Sequence, residues 1–149
     1  MGRTLGIDLG LQRTGLAVSD ELGLTTRGLP TLVPGSRAHD VAFLVDLCRR
    51  EGVVDVVVGL PLLPSGQETP WSKRVRGFAA ALQQGLRDAG DDVGGVVVHL
   101  ADESGTSKAA SLRLVASQTK KSARKALLDS EAARVLVEDF LASRPRQER

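Results

Sequence analysis

Four acidic side chains stand out by position. Asp8 closes the apolar run that contains Leu5 and Ile7, where a strand should be entering a hydrophobic interior. An ionised carboxylate there is costly unless a cation or hydrogen-bond donors meet it, so Asp8 needs a partner. Asp102 and Glu103 follow a second apolar run, Val96 to Leu100. Asp129 heads a third pattern, with Ala132, Ala133, Leu136, Val137 and Phe140 after it at helical spacing. That spacing puts the carboxylate at the head of a buried helix face, although an aspartate there also suits a helix cap. Carboxylates gathered in one place repel one another unless cations share the site. Mg²⁺ or Mn²⁺ suits such a group, because a hard cation takes a few carboxylates, keeps waters and accepts phosphate oxygens.

The elements that must carry these acids follow from periodicity and turn chemistry. Leu5 and Ile7 face Leu16 and Val18 across a turn flanked by Gly10 and Gly15, a β-hairpin pattern with Arg13 at its tip. Thr25 to Val33 reads as a third strand, placed at an edge by Gly28 and Pro30. Ser36 or Asp40 caps a helix running to about Gly52. Its stripe of Val41, Leu44, Val45 and Cys48 makes Cys48 a core residue and not a reagent. Val53 to Gly59 suits a strand buried on both faces. After a proline-rich loop, Thr69 and Pro70 start a helix whose stripe is Val75, Phe78, Ala79, Leu82 and Leu86. Asp88 to Gly95 is a turn region, and Val96 to Leu100 another buried strand. Thr106 or Ser107 caps a short helix to about Ser117, a basic loop follows, and a last helix ends near Ser143. The order β-β-β-α-β-α-β-α implies an α/β fold with a mixed five-stranded sheet and helices on its faces. One domain over 1–143 and a charged tail over 144–149 are expected. Sites in such sheets lie beyond the carboxyl ends of the parallel strands, where Asp8 and Glu103 should meet.

Composition narrows the class. With 42% hydrophobic and 26% charged residues the chain matches an ordinary soluble globular protein. Tyrosine is absent, so the core must be built from Leu, Val and Ala. No apolar run is long enough to span a membrane, no signal-peptide core opens the chain, and a single cysteine excludes a disulfide framework. A cytoplasmic location is expected. Net charge is only +2, but its distribution is uneven. Lys108, Arg113, Lys120, Lys121, Arg124 and Lys125 fall between Ser104 and Leu128 with no acid among them. That is the footprint of a surface that binds a phosphate backbone, set against the plainer reading of a solvated face. His39 and His99 lack ligand spacing, and Trp71, beside a helix start, reads as core or cover.

The stretch DLGLQRTGLAVSD resembles the opening motif of the YqgF family of RNase H-like nucleases, related to Holliday-junction resolvases. Asp8, Gly10, Arg13, Gly15, Ala17, Ser19 and Asp20 match, and Leu9 stands where that family has proline. Further matches are Gly59-Leu60-Pro61-Leu62, then Asp102-Glu103 with Thr106, and finally Asp129 with Ala132 and Ala133. Ser104 replaces the arginine of the family's acidic motif, and Gly105 and Ser107 also depart from it.

The resemblance covers nearly the whole chain and implies an RNase H-like fold. It also implies a metal-dependent nuclease acting on structured nucleic acid, in maturation of the small-subunit ribosomal RNA precursor or, alternatively, on branched DNA as a Holliday junction resolvase. On this reading Asp8, Glu103 and Asp129 are the catalytic metal ligands, with Asp102 as possible support. Two ions would serve in-line phosphodiester hydrolysis. Arg13 and the basic stretch would contact phosphates. Two other classes compete. A non-catalytic nucleic-acid-binding relative is kept open by Ser104. An actin-like phosphotransferase is suggested by Asp8-Leu9-Gly10, but those enzymes close two related domains around ATP and this chain has length for one.

Overall fold

The chain is described here by a computed structural model covering residues 2–103 and 121–144, with residues 121–129 described by backbone alone. Leu5 and Ile7 of β1 (Arg3–Asp8) pair with Val18 and Leu16 of β2 (Thr14–Ser19) in antiparallel register, as the alternating pattern requires. β3 (Thr26–Leu32) adds antiparallel to β2 and forms one edge of the sheet. On the other side of β1, β4 (Val53–Leu60) and β5 (Val97–Asp102) add in parallel. The order is β3-β2-β1-β4-β5. The carboxyl ends of β1, β4 and β5 therefore share one edge.

Residue parity separates the two faces. Leu5, Ile7, Leu16, Val18, Val56, Val58 and Leu60 point to one face, where they form the main core with helices α1 (Arg37–Glu51) and α2 (Pro70–Asp88). Burying each such aliphatic side chain contributes roughly 1.5–3 kcal/mol. Local chemistry fixes where these helices begin. The Ser36 hydroxyl accepts from the His39 amide at 3.1 Å, and Gly52 closes α1 in the left-handed region at φ 67°. Thr69 and Ser72 form a reciprocal cap at the start of α2, whose first residue is Pro70. The Ser72 hydroxyl also donates to the Pro61 carbonyl, tying the loop after β4 to α2. Cys48 is buried in this core, where burial pushes its thiol up to about 12 and keeps it protonated.

The opposite face is covered by the last helix, α4 (Lys121–Ser143), which follows a one-turn helix α3 (Asp91–Gly94) in chain order. Its own Ala132, Ala133, Val135, Leu136 and Val137 are buried. Ser130 lies against Gly28, Arg134 donates to the Thr26 hydroxyl at 3.1 Å, and Leu141 lies near Gly23. The helix thus runs antiparallel to β3, and so antiparallel to β1, with its amino-terminal half toward the edge where β1 ends. At the other end of the sheet Asp55 accepts from Arg144 at 3.0 Å and contacts His99 Nε2 at 2.9 Å. The His99 ring packs 4.7 Å from Phe140.

Two expectations are corrected. The run Val96 to Leu100 forms an outer strand and not a buried one. β5 has β4 as its sheet neighbour, and Val97 and Leu100 stay 47% and 38% exposed. The Gln83 side chain of α2 bonds the Val96 carbonyl and the Val98 amide, each at 2.8 Å, and holds the strand to its helix. In β4, burial on both faces holds from Val56 to Leu60, whereas Val54 is exposed. The expected short helix from Thr106 or Ser107 and the basic loop lie outside the described residues.

Candidate active site at the carboxyl edge of the sheet

Asp8 is the last residue of β1 and is half-buried. Its parity is that of Thr4 and Gly6, so it belongs to the face covered by α4 and not to the face of Leu5 and Ile7. Continuing the β1–β4 register from Ile7 opposite Val58 brings Gly59 beside Asp8. A Cβ on Gly59 would collide with the Glu103 side chain, whose Cγ would stand 2.8 Å away. The Glu103 carboxylate therefore lies over Gly59, where any larger residue would displace it. Glu103 is held there from its own backbone, whose amide donates to the Leu60 carbonyl at 3.2 Å. Asp8 and Glu103 thus occupy one face and one edge, Asp8 at the end of β1 and the Glu103 carboxylate over Gly59 of the neighbouring β4.

Helix α4 approaches the same place. A Cβ on Gly6 would collide with the Ala133 carbonyl oxygen and come within 2.7 Å of Val137 Cγ2. With no side chain on Gly6, the helix backbone sits directly on β1. Four residues of helix advance about 6 Å, and two residues of strand advance about 6.6 Å. Moving from Ala133 back to Asp129 therefore runs alongside the step from Gly6 to Asp8. The Asp129 side chain itself lies outside the described residues.

The other predicted positions divide in two. Arg13 is half-buried in the β1–β2 loop, directly after Asp8, and makes contacts of its own. That loop turns so tightly that a Cβ on Gly10 would strike the Arg13 carbonyl. Asp102 pairs with Leu60, shares the parity of Leu100 and is exposed, pointing away from the face of Asp8. Lys108, Arg113 and Lys120 lie outside the described residues, and Lys121, Arg124 and Lys125 contribute backbone to α4. His39 and His99 are engaged with Asp40 and Asp55. Sequence reasoning missed the part played by Gly6 and Gly59. The available signal was an isolated glycine inside a strand pattern, which marks close approach by another group.

Among the described residues no group of three or more His, Cys, Asp or Glu could hold a metal ion, and Asp129 enters that set only as backbone. The donors that do converge, Asp8 and Glu103, are carboxylates, which suit a hard divalent cation. With no Cβ, Gly59 leaves the room that the Glu103 carboxylate occupies next to the end of β1. The residues present fit such an ion.

A five-stranded mixed sheet in this order, with acids at its carboxyl edge, defines an RNase H-like nuclease fold. The family model described as "RuvX: Holliday junction resolvase" matches residues 2–143, and the chain belongs to that family, also called YqgF. A relative from Anaeromyxobacter dehalogenans (strain 2CP-1), named "Putative pre-16S rRNA nuclease", is 39% identical over 142 residues, covering 95% of this chain and 98% of the relative. A relative of the same name from Myxococcus xanthus is 38% identical over 144 residues, covering 96% of this chain and 90% of the relative. Among solved structures, RuvC of T. thermophilus in complex with a Holliday junction substrate aligns over 95% of both chains at TM-score 0.59 and 20% identity. The yeast mitochondrial Holliday junction resolvase Ydc2 aligns over 94% of this chain and 78% of its own at TM-score 0.53 and 12% identity. At these identities the structural likeness speaks for the fold.

Proposed function

We propose that this protein is a divalent-metal-dependent nuclease that hydrolyses phosphodiester bonds in the precursor of small-subunit ribosomal RNA, with Asp8, Glu103 and Asp129 as its catalytic metal ligands. The observation that carries this reading is the placement of Asp8 and Glu103 on one face, with the Glu103 carboxylate lying over Gly59 in the strand beside Asp8. The names of the relatives that match end to end supply the substrate. Mg²⁺ or Mn²⁺ bound there would polarise the scissile phosphate and activate a water, and a two-ion arrangement would serve both the attacking and the leaving oxygen.

The chain's own residues supply position and charge. Asp8 is fixed by the ladder on both sides of β1, and Glu103 by its amide bond to β4. Asp129 is carried in by a helix seated on Gly6. Arg13, on the loop that leaves Asp8, meets a phosphate beside the scissile one. Lys108, Arg113, Lys120, Lys121, Arg124 and Lys125 hold the backbone on either side.

The test is a cleavage assay with Mg²⁺ or Mn²⁺ on three substrates: a small-subunit rRNA precursor, a four-way DNA junction and plain single strands. Metal-dependent cutting of the precursor, faster than of the other two, is expected. Preference for the junction would make the protein a resolvase. Binding without any cutting would make it a non-catalytic relative.

A further inference from the structure

Behind the carboxylate edge, on the face of α1 and α2, lies a cavity of about 110 Å³. Its walls are the chain just after Asp8 (Leu9, Gly10 and Leu11), the β3–α1 turn, and the first turns of α1 and α2 with Arg37, Trp71 and Arg74. Three features make it a binding site and not a packing gap.

The first is unspent charge. Arg3, Arg27, Arg49, Arg50 and Arg76 each sit on a carboxylate. Among the described residues Arg37 and Arg74, which line this cavity, form no ion pair, and of the unpaired cations on α1 and α2 these two are the ones that face it. Asp40 also lines it, but its carboxylate accepts from the Gly35 amide at 3.0 Å and faces His39 Nδ1. The second feature is a planar surface. The Arg74 guanidinium lies 5.5 Å from the centre of the Trp71 ring, and Trp71 packs its other contacts against the core. The third is a glycine in mid-helix. Gly77 costs α2 roughly 0.5–1 kcal/mol relative to alanine, and a Cβ there would come within 3.3 Å of Arg37 Nη2. The bare backbone lets the Arg37 guanidinium lie on α2, at the cavity.

The cavity is well below the roughly 300 Å³ at which enclosed small-molecule sites begin, so it suits part of a longer ligand. Guanidinium groups not paired with a carboxylate recognise phosphate, and an aromatic ring carrying an arginine recognises a base face. Its wall is the segment that leaves Asp8, so a strand crossing the carboxylates would pass its mouth. We propose that this cavity is a nucleotide subsite, in which the Arg74 guanidinium, carried on the Trp71 ring, stacks one unpaired base of the substrate strand and Arg37 takes the adjoining phosphate. The proposal rests on the nuclease reading above and adds to it where a flanking, unpaired nucleotide is held.

Trp71 is the only tryptophan and the chain has no tyrosine, so intrinsic fluorescence reports this site alone. The experiment titrates the Asp8→Asn protein, without cleavage, with a dye-labelled single-stranded oligoribonucleotide. It follows Trp71 emission and dye polarisation together. Quenching that tracks binding is expected, with no quenching by inorganic phosphate. Arg74→Ala and Arg37→Ala should each weaken binding about tenfold, toward the lower end of what a stacked base contributes. Because both side chains are exposed, these variants should fold even where Trp71→Ala does not. Binding with unchanged Trp71 emission, or undiminished affinity in both arginine variants, would overturn the subsite and leave the nuclease reading standing. Quenching by phosphate alone would reduce the cavity to a simple anion site and overturn base stacking. No binding at all would also overturn the subsite, while the nuclease reading stands or falls on the cleavage assay with the rRNA precursor.

Discussion

The Asp20 carboxylate closes the β2–β3 turn by accepting from the Leu24 amide at 2.7 Å and the Thr25 amide at 2.9 Å. These backbone donors, Thr25 foremost, hold its pKa below the usual carboxylate range. The sign follows from linkage. A carboxylate whose folded pKa is depressed stabilises the fold fully above its unfolded value, about 4, and loses that contribution as pH falls through the folded value. Asp20→Ala should therefore unfold at lower urea than wild type at pH 6, and the gap should shrink as pH falls below the ordinary carboxylate range. A gap that persists unchanged in acid would mean the side chain acts by packing and not by its charge. The same scale shows what single residues conceal from sequence. Asp102 and Glu103 are neighbours and both matched an acidic motif, yet parity sends Asp102 outward while Glu103 turns back over Gly59. Nothing in residue type distinguishes the two.

At the scale of elements, two glycines predict opposite outcomes. A methyl at Gly6 meets the backbone of α4, which can move only with the whole helix. Gly6→Ala should cost about 1–3 kcal/mol of stability, as overpacking does, measurable by urea melts. A methyl at Gly59 meets the Glu103 side chain, which can swing away. Gly59→Ala should leave stability within about 1 kcal/mol while cleavage falls at least tenfold. Full activity in Gly59→Ala would mean that Glu103 does not need its observed position. The elements themselves were legible: Leu5, Ile7, Leu16 and Val18 alternate, and Ser36, Gly52, Thr69 and Pro70 punctuate the helices where capping chemistry puts them. The exposure of β5 was not legible. An apolar run such as Val96 to Leu100 has the same composition whether its strand has one neighbour or two, and only the sheet order decides.

For the whole molecule, strand order could be read because three strands in a meander and two reached through helices leave few arrangements. Gathering Asp8 and Glu103 at one edge followed from that order, and the pocket beneath it did not. Arg37 and Trp71 are separated by 34 positions in the chain, and only packing of α1 on α2 unites them. The long-range field belongs to the whole molecule as well. With net charge only +2, nucleic-acid affinity should rest on the local basic stretch. Lys120→Ala with Lys121→Ala should make the slope of log affinity against log salt shallower by up to about two units, and an unchanged slope would assign both lysines to plain solvated surface. The central claim is that Asp8, Glu103 and Asp129 together hold the ions that cut. Single-turnover cleavage of the rRNA precursor across a Mg²⁺ titration tests it most directly, comparing wild type with Asp8→Asn, Glu103→Gln and Asp129→Asn while binding is followed in parallel. The account predicts that each amide abolishes cleavage at every Mg²⁺ concentration and leaves binding within a few-fold of wild type. Wild-type rates in any one of the three would contradict it.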